Sequence, residues 1–229
     1  MTIQTAARPA CPVPAALMGR TGCLGSSDQS EPFRAAGSVT HVPEGREIFA
    51  QGAGNDVFYK VVSGVVRTCK FLNDGRRQIE SFHVAGDVFG FELGDERQLS
   101  AEAVSECTLI CYRRRSVEAL GQKDGAVTRQ LLQYAMQNLT QAQSHSLLLG
   151  RRGAAEKVAA FLLDWADRSD QQGTVRLAMT RQDIADYLGL TIESVSRSLS
   201  QFERNGVIAL PNARDVRIRN AEALEDLAA

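Results

Sequence analysis

The stretch MTRQDIADYLGLTIESVSRSLSQFER, Met179 to Arg204, decides how the rest of the chain is read. Its apolar spacing predicts a helix, a tight turn and a second helix. Thr180 can cap the first helix, with Asp183 three residues on to complete a capping box. Ile184 and Leu188 lie one turn apart and give that helix its buried stripe, flanked by Ala185 and Tyr187. Gly189 follows directly, where a helix end needs a residue that tolerates positive φ. Leu190 then enters the core, and Thr191 is placed to cap a second helix running to about Arg204. In that helix Ile192, Val195, Leu199 and Phe202 recur at spacings of three, four and three, which predicts that they point inward.

The residues left outside carry the chemistry. Glu193, Ser196 and Arg197 sit at i, i+3 and i+4 and share one outward face near the helix N-terminus. That end of a recognition helix reaches base edges in the major groove. An arginine bonds bidentately to guanine O6 and N7, a carboxylate accepts from cytosine N4, and a serine bonds to either kind of edge. An isolated E-x-x-S-R is ordinarily a solvated face with one ion pair. Behind a capped helix and a glycine turn, it reads as a base-contacting surface. Thr180, Arg181, Thr191, Ser194, Arg204 and Arg214 are candidates for DNA backbone contacts, which position a domain without specifying sequence.

These residues resemble the DNA-binding motif of the CRP/FNR family of bacterial transcription regulators, in its FNR/FixK branch. Glu193, Ser196 and Arg197 match the E-x-x-S-R with which that branch reads TTGAT half-sites. In the cyclic-AMP receptor branch an arginine directly precedes the glutamate, whereas here the position is Ile192. The resemblance therefore implies FNR-type operator specificity and covers roughly residues 35–225.

Charge would not have found this function. The formal net charge is −1, and residues 151–219 hold eleven Lys or Arg against nine Asp or Glu, a net of +2. At 229 residues, with 44% apolar and 23% charged, the chain has the composition of an ordinary soluble protein of one large or two modest domains. No apolar run is long enough to span a membrane, and no basic-then-apolar leader opens the sequence. Five cysteines do not read as a disulfide framework, so the expected compartment is a reducing cytoplasm.

The expected fold is α+β, in four parts. Residues 1–30 hold Pro9, Pro12 and Pro14 and read as a flexible arm. Residues 31–114 carry short strands with turn punctuation, as at Pro43-Glu44-Gly45, Gly64, Asn73-Asp74-Gly75 and Ala85-Gly86-Asp87. Such spacing predicts a small antiparallel barrel or roll, similar to the family's cyclic-nucleotide-binding β-roll. Residues 115–150 read as one long helix, with Thr128, Leu132, Ala135, Leu139, Ala142, Ser146 and Leu149 in a weak heptad seam. The seam fits either packing on the roll or a homodimer; a downstream helix-turn-helix favours the dimer, since two recognition helices must span two half-sites. Residues 151–229, after the hinge Gly150-Arg151-Arg152-Gly153, read as a winged helix-turn-helix. Its first helix is Ala154–Ala166 and its wing strands are Gly206–Leu210 and Val216–Arg219.

The family resemblance also frames what the roll senses. Cyclic-AMP-binding members hold the phosphate with an Arg-Ser pair, and the matching place here is Leu99-Ser100. Leucine cannot neutralise a buried phosphate, so no cyclic nucleotide is expected. Oxygen-sensing members ligate an iron–sulfur cluster with a tight N-terminal cysteine run and one roll cysteine. Cys111 matches the latter, but Cys11 and Cys23 have eleven residues between them, so no cluster is expected. Cys11, Cys23 and Cys111 remain possible redox positions. No metal site is expected.

What remains resembles the FixK type: mainly an activator, working with RNA polymerase on microaerobic respiration or nitrogen-fixation genes without an effector. The alternative is a ligand-gated or thiol- or cluster-based redox regulator. The histidines His41, His83 and His145 are scattered with no hydrolase, protease or P-loop spacing, so an enzyme is not expected.

Overall fold

The computed structural model describes residues 36–168 and 174–228, so the N-terminal arm with Cys11 and Cys23 lies outside the described residues. The first half folds into two four-stranded antiparallel sheets. One has the order β1 (Gly37–Val42), β8 (Cys107–Arg113), β3 (Val57–Ser63), β6 (Val88–Phe89). The other has the order β2 (Glu47–Phe49), β7 (Ser100–Ala103), β4 (Val66–Phe71), β5 (Arg77–His83). Phe49, Val61, Val66, Phe89, Ala101, Leu109 and Cys107 fill the space between them.

Both sheets bury their outer faces too. On β8 alternate residues point to opposite sides. Leu109 therefore joins the roll interior, while Ile110 and Tyr112 pack outward with Val117, Val127 and Tyr134. These last three come from α1 (Arg114–Gly121) and α2 (Gly125–Gly150). On the second sheet, Cys69, Ile79 and Phe82 share a core with the C-terminal helices. Gly64 makes the β3–β4 corner possible. Its φ is +88°, and a Cβ there would lie 2.9 Å from the Cys107 Cα.

The second half comprises α3 (Ala154–Arg168), β9 (Thr174–Arg176), α4 (Arg181–Leu188), α5 (Ile192–Arg204), β10 (Ile208–Ala209), β11 (Asp215–Ile218) and α6 (Ala221–Ala228). Strands β10, β11 and β9 form the three-stranded wing sheet. Trp165 donates its indole N–H to the Arg176 carbonyl at 3.1 Å, tying α3 to β9.

Four elements differ from the sequence reading. The long helix is broken at Gln122–Asp124, because Asp124 caps α2 by accepting from the Ala126 N–H. Strand β1 begins at Gly37, pairing along β8 where the sequence shows no alternation. Val88–Phe89, directly after the Ala85-Gly86-Asp87 turn, adds a two-residue strand to β3 that the sequence does not announce. Helix α6 was not expected; its buried Leu224 and Ala228 join the cluster that contains Val158 and Leu162 of α3.

His83 is buried at the end of β5 and stacked on Phe89. The Thr68 hydroxyl donates to Glu80, so its oxygen accepts from His83 Nε2, and Nδ1 has no hydrogen-bond partner. Burial pushes its pKa down against the nearby Glu80 and Asp87 carboxylates, and Arg168 adds to the depression. Burial likewise depresses His145, against the Tyr187 carbonyl, Glu80 and Asp164. Folded values below the ordinary histidine value of about 6.5 mean that the unfolded chain takes up protons first as pH falls. This contribution to stability is therefore full above about 6.5 and declines below it. Urea unfolding at pH 7.5 and 5.5 is expected to show the loss, and His83→Gln to reduce it. An equal loss in that variant would mean His83 is not its source.

Candidate nucleic-acid interface

Helix α4 starts where its caps require. The Asp183 N–H donates to the Thr180 hydroxyl at 3.1 Å, and the Thr180 N–H donates to Asp183 Oδ2 at 3.0 Å. It stops at Gly189, whose φ of 63° and ψ of 39° place it in the left-handed region while its N–H bonds the Ala185 carbonyl. Two residues on, Thr191 caps α5 by accepting from the Ser194 N–H at 3.3 Å. Ser198 returns its hydroxyl to the Ser194 carbonyl at 2.9 Å. Val195, Leu199 and Phe202 are buried, as the spacing predicts.

Ile192 is not. It is 38% exposed, because the first turn of α5 projects beyond the core that its later turns cover. An apolar side chain next to Glu193 in sequence is therefore open to solvent, where sequence periodicity had placed it inside.

Glu193 and Arg197 are exposed and Ser196 is half-buried, all on the N-terminal half of α5. The Glu193 carboxyl is held below the usual range by its own backbone N–H, then by the Thr191 hydroxyl, with Arg197 adding attraction. Arg181 at the start of α4 points the same way, its Nη1 donating to Ser196 Oγ at 3.4 Å. The helix pair thus presents two cations, a carboxylate and hydroxyls on one surface, with the α5 N-terminal dipole behind them. That arrangement can meet base edges and flanking phosphates together.

The other expected residues are dispersed around it. Thr180, Thr191 and Ser194 are engaged in the caps. Arg204 is exposed in the last turn of α5. Arg214 is exposed at the wing turn, 3.9 Å from Glu44 of the β1–β2 turn. Arg217 and Arg219 are also exposed on the wing and were not singled out by sequence.

The seam of α2 is bare in this chain. Leu132 is 61% exposed and Leu139 49%, Ala142 and Ser146 are exposed, and Ala135 and Leu149 are half-buried. Met136 and Leu147, the latter 77% exposed, extend the same apolar face. The opposite face packs on the protein itself through Val127, Tyr134 and His145. His145 stacks on Tyr187 of α4 with centroids 4.0 Å apart and donates Nε2 to the Tyr187 carbonyl at 2.9 Å.

A β-roll, a long helix and a winged helix-turn-helix with a polar, cationic recognition face define a DNA-binding transcription regulator. Comparison with known proteins agrees in both halves. Residues 39–124 match the cyclic nucleotide-binding domain, and residues 156–227 match the Crp-like helix-turn-helix domain. The chain belongs to the CRP/FNR family of transcription regulators, in its FixK branch. It is 45% identical over 204 residues to the nitrogen fixation regulation protein FixK of Rhizobium meliloti, covering 89% of this chain and 92% of that one. It is also 45% identical to FixK of Azorhizobium caulinodans, over 88% of this chain and 84% of that one. The solved structure of FixK2 from Bradyrhizobium japonicum matches with a TM-score of 0.80 at 41% identity, over 84% of this chain and 98% of that one.

The Thr191 cap makes a direct test of the local reading. Thr191→Ala is expected to lower the unfolding free energy by about 1 kcal/mol, read by urea denaturation followed by circular dichroism. An unchanged midpoint would mean that the hydroxyl does not hold the start of the recognition helix.

Proposed function

We propose that the protein is a homodimeric transcriptional activator that reads TTGAT-type palindromic half-sites with Glu193, Ser196 and Arg197, without a bound effector. The observation that carries this is the shared, outward placement of those three side chains on the capped N-terminal half of α5. Exposed Ile192 offers an apolar contact of the kind a thymine methyl accepts. Arg181, Arg204 and Arg214 supply phosphate contacts around them. Residues 36–113 form the sensor-like roll, α2 is the dimer helix, and the described residues from Ala154 onward form the DNA-binding unit. The bare seam through Leu132, Leu139 and Ser146, widened by Met136 and Leu147, supports a second copy of the chain along α2.

The effector-free part rests on how the roll interior is filled. Ser100, at the position that would help hold a cyclic phosphate, already accepts the Gln51 N–H at 2.9 Å. The neighbouring cation, Arg97, is 1% exposed and committed elsewhere. Its guanidinium donates to the Gly90 and Val57 carbonyls and lies 4.0 Å from the Phe49 ring centre. Burial also keeps the roll thiols protonated, which lowers their reactivity as nucleophiles. Burial pushes Cys69 up to about 11 and raises Cys107 and Cys111.

The names of the relatives point to nitrogen-fixation control, and the branch resemblance adds microaerobic respiration. Such a regulator acts in the cytoplasm beside RNA polymerase. Arg197→Ala is expected to cost about 1–3 kcal/mol of operator binding and to relax discrimination at one guanine of each half-site. Competition binding against half-sites substituted one base at a time reads both effects. Undiminished discrimination at every position would remove Arg197 from the base-reading set.

A further inference from the structure

The roll and the DNA-binding unit are joined by an ionic cluster between residues more than a hundred positions apart in sequence. Asp183 uses Oδ2 in the α4 capping box, and its other oxygen, Oδ1, accepts from Arg67 Nη1 at 2.9 Å and from Arg77 Nη2. Arg77 also bonds Asp186, about one helical turn further on, through Nε at 2.9 Å and Nη2 at 2.7 Å. Glu102 on β7 completes the group, accepting from Arg67 Nε at 2.8 Å. The Asp183 side chain is only 4% exposed and both arginines are mostly covered.

Beneath the cluster the contact is aromatic. Phe82 of β5 sits 5.2 Å from Tyr187 of α4 and 6.0 Å from Trp165 of α3, centre to centre. Such packing is strong but only loosely directional. A forked guanidinium between two carboxylates is directional, and it fixes angle as well as distance. Buried ion pairs add little net stability over apolar replacements, whereas they do select one geometry among several.

We propose that Arg67 and Arg77 are positioning residues for DNA recognition. They hold α4 by its carboxylates Asp183 and Asp186, and α5 with it, at one angle on the roll. In a dimer this sets the spacing at which two recognition helices meet two half-sites. The inference rests on the palindromic, dimeric reading above. It differs from that reading in assigning the geometry to the roll, and not only to the α2 seam.

The comparison is between wild type, Arg67→Met/Arg77→Met, the milder Asp186→Asn and the charge-keeping Arg67→Lys/Arg77→Lys. Each is titrated with a single half-site duplex and with palindromes whose spacers are three, four or five base pairs. In the Met variant half-site affinity is expected to stay within about twofold. Affinity for the preferred palindrome should fall at least about tenfold, because a loosely held second helix has a lower effective concentration at its half-site. Spacer preference should flatten, Asp186→Asn should shift the same way by less, and the Lys variant should recover most of the loss. Retained palindrome affinity and spacer preference in the Met variant would overturn the proposal. So would a parallel loss on the half-site, which would mean the arginines only stabilise the helix-turn-helix.

A second readout needs no operator. Trypsin cleavage at Arg151-Arg152, in the link between α2 and α3, is expected to quicken in the Met variant as that link opens more often. Equal cleavage rates would also overturn the proposal. A wild type that does not prefer the palindrome to the half-site would instead remove the dimeric reading, and it would do so before any variant is compared.

Discussion

The Asp183 carboxylate is shared between two tasks on which the architecture depends. One oxygen closes the capping box that starts the first helix of the DNA-binding motif, and the other receives arginines from the roll. A carboxylate this well covered takes donors on both oxygens, and Thr180 alone supplies two of them through its N–H and hydroxyl. Local helix initiation and the long-range docking of two halves are thereby coupled through one side chain. Around it, Phe82, Phe161, Trp165 and Tyr187 form a continuous aromatic core, and Arg168 bridges to Asp87 at 2.9 Å. The DNA-binding unit is therefore packed onto the sheet β2-β7-β4-β5, and α2 runs past both halves, touching α4 through His145.

The parts of the molecule that sequence made legible are those set by neighbours in the chain. Thr180, Asp183, Gly189 and Thr191 each act within four residues, so helix, turn and helix could be placed from their spacing, and the outward surface carrying Glu193, Ser196 and Arg197 followed from it. The β-roll was legible as a class because its corners fall at turn residues. Its exact strands were less so: β1 and β6 owe their pairing to β8 and β3, which lie far away in sequence. Helix α6 has only two fully buried residues, too few to announce a period. Periodicity also misplaced Ile192, since spacing tells which residues share a face but not where the covering core ends.

Nothing local marks the interdomain cluster either. In sequence Arg67 lies within a strand run and Arg77 at a hairpin turn, neither marked for a role, and only the folded chain brings them to Asp183 and Asp186. Arg97 is similar: a charge in a polar turn by sequence, it is among the largest fully buried side chains in the structure. Both cases follow from the same limit. Burial of a cation depends on partners that arrive from elsewhere in the fold, so it leaves no pattern in its own neighbourhood. Within the roll, Arg97 donates to backbone carbonyls while its buried Nε has no partner, and Ser100 accepts from a backbone amide.

The central proposal is that the chain, as a homodimer, recognises its operator with nothing added. The most direct measurement is the affinity of metal-free, nucleotide-free protein for a TTGAT-N4-ATCAA duplex and for a scrambled duplex, at one fixed salt concentration because phosphate contacts make affinity salt-dependent. The account predicts tight binding to the palindrome, at least about a thousandfold stronger than to the scrambled duplex. Weak binding that does not distinguish the two, and that becomes specific only after iron–sulfur reconstitution or on addition of a small molecule, would contradict it.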